Sequence, residues 1–324
     1  MIYHSICGWE HRVPIYYFFL LDDCIICIMK IKLVVTNISG KNLVFVSDKL
    51  QVFSLDEALA LADKGEIDSV HTVRRKSSFY IRTNPSVPKE DEFEQLAITG
   101  RDITAYAQGT HSVSTPALSS YMRLYLASLE DGKPFITPLG EAKVLTAVVK
   151  EKLIEHSPLI FSVAKKFNID PYLLGAILID EIARIHPFEP IFEALLANVL
   201  GANVSVGIAQ IKIETANDLT KKDFYNPNLD DKKLPFKRMN SDNRSYLYSY
   251  LVKPKHNISF AGAFIRHVID FWSSHIDLNE RLEIIATLYH IGYGIPKKNP
   301  ESDKRGRQII NEFYPLSKKW LGDL

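Results

Sequence analysis

Residues 170–182 read DPYLLGAILIDEI. Asp170 before Pro171 is an N-cap followed by proline at the first helical position. Leu173, Leu174, Ala176, Ile177, Leu178 and Ile179 then recur at helical spacing, which carries the helix through Asp180, Glu181 and Ile182. His186-Pro187 ends it. Leu174, Ile177 and Leu178 stand seven, four and three residues before Glu181 and share its face. That face is otherwise apolar, so the Glu181 carboxyl is expected to point at the core. Burial disfavours the charged form and raises a carboxyl's pKa. A carboxyl protonated near neutral pH is what a glycosidic bond needs from a general acid. Asp180 lies about 100° away around the helix, so the two acids are expected to have separate roles.

Working outward, residues 144–153 carry Val144, Leu145, Val148, Val149 and Leu153 at helical spacing, and Ser157-Pro158 reads as another N-cap with proline after it. Residues 141–324 are therefore expected to be mostly helical. The pattern before residue 90 is different. Residues 31–38 (IKLVVTNI) and 43–46 read as strands separated by a Ser39-Gly40-Lys41-Asn42 turn. Ser54-Leu55-Asp56-Glu57 is a capping box, Ala58, Leu59, Leu61 and Ala62 form an apolar face, and Gly65 follows as a C-cap. Residues 70–73 and 79–82 read as a hairpin. Residues 91–140 are expected to be a connector punctuated by proline, with one short helix at 119–129. Residues 73–85 carry Arg74, Arg75, Lys76 and Arg82, read as a solvated hairpin face.

Composition narrows the function classes. The net charge is +1, so no nucleic-acid partner is expected. The three cysteines, Cys7, Cys24 and Cys27, all precede residue 28, which excludes a disulfide scaffold for the rest. Cys24 and Cys27 have CxxC spacing without a second ligand pair at usual spacing. Residues 13–28 are apolar but broken by Asp22 and Asp23, and they fit neither a secretory signal nor a stable membrane span. Residues 1–28 are read as an extension, with Met29 opening the first strand. No metal or other cofactor is implied. His256, His267 and His275 lack ligand spacing. Lys297, Lys298, Lys304, Arg305 and Arg307 form a basic patch, read as a solvated face.

Four elements occur in order after residue 170. They are Ala176-Ile177-Leu178-Ile179-Asp180-Glu181, then Gly207 to Ala216 preceded by Ser205, then Asn257-Ile258 with Gly262, then Leu288-Tyr289-His290-Ile291-Gly292. This set resembles the soluble lytic transglycosylase and goose-type lysozyme superfamily over about residues 157–295. Residues 30–90, through DEALALADKGEIDSV and VRRKSSFYIRTNP, resemble a small bacterial domain of unknown function. The first resemblance implies that Glu181 is the catalytic acid and that Ser205 and Gln210 line a saccharide groove. It implies that Tyr289 bonds the catalytic carboxyl. Gly207 would let the backbone turn close beside a sugar, and His290 stands where the family has asparagine. The chain also departs from the family at Ile182 and Ala209, which bears on substrate fit.

The expected architecture is α+β: a small ββαββ N-terminal domain over residues 29–90, a connector, and a mostly α-helical lysozyme-like domain over residues 141–324. The resemblance implies cleavage of peptidoglycan glycan strands at the β-1,4 bond between N-acetylmuramic acid and N-acetylglucosamine. Hydrolysis usually needs a second carboxylate, and Glu189, Glu193, Glu214 and Asp218 are the candidates. The resemblance to lytic transglycosylases implies one carboxyl instead. Glu181 would act first as acid and then as base, leaving a 1,6-anhydro product. The rival classes are a non-catalytic peptidoglycan-binding protein and a hydrolytic lysozyme effector delivered to the periplasm or outside the cell. In the second case residues 29–90 would meet a delivery or adaptor partner.

Overall fold

The computed structural model describes residues 28–75, 78–107, 115–127, 134–137, 140–185 and 188–322. The CxxC spacing, Lys76 and the His186-Pro187 stop lie outside them. The fold is α+β.

Strands β1 (Ile31–Thr36) and β2 (Asn42–Ser47) are antiparallel, with Val34 opposite Phe45. A third strand, β3 (Val52–Ser54), precedes the helix α1 (Leu55–Asp63). The capping box forms as read. The Glu57 N–H donates to Ser54 Oγ at 3.4 Å, and the Ser54 N–H donates to Glu57 Oε2 at 2.8 Å. Strands β4 (Val70–Arg75) and β5 (Ser78–Thr83) pair as the expected hairpin but form a sheet of their own. After the short helix α2 (Phe93–Leu96), β6 (Ala97–Thr99) pairs in parallel with β1. The main sheet is thus β3-β2-β1-β6. The ββαββ order gains a strand before the helix, and the sheet takes its fourth strand from the stretch read as a connector. Both additions are three residues long, too short for alternation to register.

Helices α3 (Gly100–Ala107) and α4 (Pro116–Ala127) and the hairpin β7 (Pro134–Thr137) and β8 (Gly140–Leu145) lead to the helical part. Both faces of the main sheet are covered. Val34 and Phe45 pack with Ala58 of α1, while Leu33, Val35, Val44 and Val46 belong to the large apolar core shared with the helices. Such two-sided burial explains why these strands read as unbroken apolar runs.

Helices α5 (Thr146–Glu155) and α6 (Ser157–Phe167) precede α7 (Pro171–Arg184), the helix quoted first. His156, not Ser157, occupies the cap position of α6. Asp170 caps α7 as expected, accepting from the Tyr172 N–H at 2.7 Å. Every residue of α7 from Leu173 to Ala183 is buried. A Cβ on Gly175 would collide with Ser317, so the missing side chain lets the last helix cross closely there. The chain continues through α8 (Glu189–Glu193), a π-helical turn (Ala194–Val199) and the small hairpin β9 (Ser205–Val206) and β10 (Ile211–Lys212). Helices α9 (Ile213–Lys221), α10 (Ser241–Leu251), α11 (Pro254–Trp272) and α12 (Leu282–Ile291) follow. Helix α13 (Lys304–Gln308) and α14 (Tyr314–Gly322) complete the fold around α7. Among the described residues, no helix is long and apolar enough to cross a membrane.

Candidate active site

The end of α7 delivers two buried acids. Asp180 has no exposed surface and Glu181 is 9% exposed. Burial pushes the Glu181 carboxyl up to about 7 despite the opposing pull of Arg305, with Asp180 adding to the rise. The two acids nevertheless share a cation. Arg305 Nε donates to Asp180 Oδ2 at 2.6 Å, and its Nη2 donates to Glu181 Oε1 at 2.8 Å. From the other side, Arg184 Nε donates to Asp180 Oδ1 at 2.9 Å. Arg305 therefore does not belong to a solvated basic face. It sits in the first turn of α13, which Asp303 caps by accepting from the Gly306 N–H at 2.7 Å.

Opposite stands the β9–β10 hairpin, with Ser205 paired to Lys212 and Val206 to Ile211. Its turn is tight. Gly207 has φ +75° and Gln210 φ +49°. Two buried side chains set its shape. Asn257 of α11 accepts from the Ala209 N–H at 2.7 Å and donates to the Val206 carbonyl at 2.7 Å. Glu193 of α8 accepts from the Gly207 N–H at 3.0 Å and from Gln210 Nε2 at 2.8 Å. Burial raises the Glu193 carboxyl to about 7, with those two hydrogen bonds pulling it down. A Cβ on Gly207 would lie 2.8 Å from the Asn257 amide. The close approach that requires glycine here is to Asn257.

The third wall is α12. Tyr289 is half-buried, its ring against Phe264, and donates to the Ala209 carbonyl at 2.7 Å. This corrects the role implied by the resemblance: the hydroxyl proton goes to the hairpin backbone, and Arg305 bonds the Glu181 carboxyl. His290 Nε2 lies 2.6 Å from Asp303 Oδ2. Burial lowers its pKa more than Asp303 raises it.

Glu181, Ser205, Gln210, Tyr289, His290 and Arg305 line one cavity of about 300 Å³. Five of the six residues expected at the site meet there, and Gly207 shapes the turn between two of them. Glu181 is the single carboxyl among the described lining residues. Three of the four other candidate acids have partners of their own. Glu193 braces the hairpin, Glu214 pairs with Arg244 at 2.6 Å, and Asp218 pairs with Lys222 at 2.8 Å and accepts from Tyr293 at 3.1 Å. A larger groove, about 780 Å³, opens in the sheet half beside β5 and α2. Of its charged residues, Lys41, Arg82 and Glu94 are exposed and Glu92 is half-buried, so water screens them.

Sequence reasoning missed Arg305 and Asn257 as parts of the site, and it offered Glu193 only as a candidate second carboxylate, not as the brace of the hairpin. Arg305 bonds Glu181 across 124 positions of chain and sits in a lysine- and arginine-rich stretch, so no local pattern marks it. Asn257 was read as a motif residue without a role. Neither the protein-family models nor the curated proteins include a match to this chain.

Proposed function

We propose that the chain cleaves peptidoglycan glycan strands at the β-1,4 bond between N-acetylmuramic acid and N-acetylglucosamine, by lytic transglycosylation on a lysozyme-like helical domain. The carrying observation is Glu181: a buried carboxyl, shifted to about 7, and the single carboxyl among the described residues lining its cavity. Glu181 protonates the glycosidic oxygen as the bond breaks. Its carboxylate, bonded to Arg305, then accepts the proton of the muramic 6-hydroxyl as that oxygen closes on the anomeric carbon. The leaving sugar carries away the first proton, and Glu181 recovers the second. The cavity lies at the lower end of ligand-pocket volumes, roughly 300–1,000 Å³, consistent with sugar rings held one at a time. Ser205 and Gln210 supply polar groups for hydroxyl or acetamido recognition.

Hydrolysis by a paired-carboxylate route needs a second acid about 5–10 Å across the bond, and the arrangement at Glu181 offers it less support. The rival with a specific observation behind it is a non-catalytic wall-binding protein, because the ion pair with Arg305 favours the ionised form of Glu181. The test is mass spectrometry of peptidoglycan digested by the wild-type chain and by Glu181→Gln. Anhydro-muropeptides from the wild type alone are expected. Reducing products would indicate hydrolysis. Equal release by the variant, or wall binding without soluble products, would overturn the proposal.

A further inference from the structure

The Glu181 site has a feature that a lone general acid does not require. Arg305 spans two carboxyls, and the second, Asp180, has no exposed surface. The Arg305 side chain is 20% exposed, and a guanidinium so largely withdrawn from water is disfavoured when it loses its partner. If Glu181 were its sole partner, each protonation of Glu181 would strand that cation. We propose that Asp180 is the resident counter-ion of Arg305, a positioning residue that keeps the guanidinium paired while Glu181 alternates between acid and base. This rests on the reading of Glu181 as the catalytic acid.

The geometry supports a fixed cation beside a changing carboxyl. Arg184 holds the second oxygen of Asp180 from within α7. Asp303 caps the helix that carries Arg305 and also bonds Thr287 of α12 at 3.2 Å, so the guanidinium is keyed to two elements. Nε bonds Asp180 alone, while Nη2 lies 2.6 Å from Asp180 Oδ2 and 2.8 Å from Glu181 Oε1. The contact with Glu181 can weaken while Nε and Nη2 stay on Asp180. The charged and titratable groups around Glu181 are Asp180 and Arg184 on its own helix and Arg305 on α13. Tyr289 and His290 approach from α12, the latter beside Asp303, and Lys212 from the hairpin. Asp180 opposes ionisation of Glu181 and Arg305 favours it. Proton bookkeeping is unchanged: one proton leaves Glu181 for the leaving sugar and one returns from the 6-hydroxyl.

The experiment follows the Glu181 carboxyl directly, by carbon-13 NMR titration of the full chain, assigned with Glu181→Gln. It is paired with the pH profile of muropeptide release. Asp180→Asn is expected to move the Glu181 titration, and the alkaline limb of activity, down by about one pH unit or more. Arg305→Met is expected to move both up by a similar amount. Arg305→Lys should recover most of the wild-type value. Opposite shifts support the proposal. Shifts in the same direction, or none, overturn it. If Asp180→Asn does not fold, an unchanged titration in Arg305→Met overturns the proposal and an upward one reversed by lysine supports it. Opposite NMR shifts in a chain that releases no muropeptides would uphold the pairing and defeat the proposed function.

Discussion

The sheet half and the helical half place their charges differently. In the sheet half, Lys30 pairs with Asp68, Lys32 with Asp91 and Arg74 with Asp63, all with substantial side-chain exposure. The smaller core cluster beneath them, around Val34, Phe45 and Ile81, is apolar throughout. In the helical half, Asp180, Glu181 and Glu193 are buried; Asp180 pairs with Arg184 and shares Arg305 with Glu181, and those two cations are 16% and 20% exposed. Exposed pairs add little to stability, whereas a buried acid must have its partners or lose its charge. The difference teaches where to look for chemistry. A fold can keep nearly all its charge in water, so a cluster of buried charge around one cavity marks a site with a task.

The contrast can be broken by substitution. Asp180→Ala leaves Arg184 and Arg305 without their shared acceptor and should lower stability by about 3–5 kcal/mol in urea unfolding. A loss under 1 kcal/mol would mean that water reaches those guanidiniums readily. Gly207→Ala puts a side chain at φ +75° against the Asn257 amide. It should cost about 2–3 kcal/mol and weaken glycan binding, read by melting temperature and by KM. Glu193→Ala unties the Gly207 N–H and Gln210, at about 1–2 kcal/mol near pH 5. Its sign with pH is specific. The folded carboxyl lies at about 7, above its ordinary 4.5, so the native state holds a proton that the unfolded chain releases between those values. The stabilisation it contributes is full below about 4.5 and fades as pH rises through 7, so the variant's deficit should shrink over that window. Arg74→Ala, in the sheet half, should change stability by about 0.5 kcal/mol or less. A larger loss there would erase the distinction between the halves.

Legibility in sequence followed the range of each interaction. Helix α7 was readable because its cap, its proline and its apolar face lie within fifteen residues of Asp170. The same holds for the capping box at Ser54 and for the β4–β5 hairpin. Strands β3 and β6 were not readable, since three residues carry almost no period and β6 is defined by partners 63 positions away, Val34 opposite Ala97 among them. At the site, burial of Glu181 followed from the helix face. Arg305 did not, because a guanidinium in a basic stretch has the same local signature whether it faces water or a carboxyl. The resemblance named the cavity residues Ser205, Gln210 and Tyr289, yet the Tyr289 hydroxyl bonds the Ala209 carbonyl and not the Glu181 carboxyl. A motif places a residue near a site more reliably than it names the atom that residue touches.

The shared core has a practical corollary. Leu33, Val35, Val44 and Val46 of the sheet lie in one apolar cluster with Leu174 and Ile177 of α7, and Leu195 approaches the backbone at Gly100. The two halves are therefore not cassettes. A cut between them would leave each fragment with a wet, adhesive face, and nicked chains should stay together until denatured. Engineering that aims to carry the cavity onto another scaffold would have to take the sheet along with it.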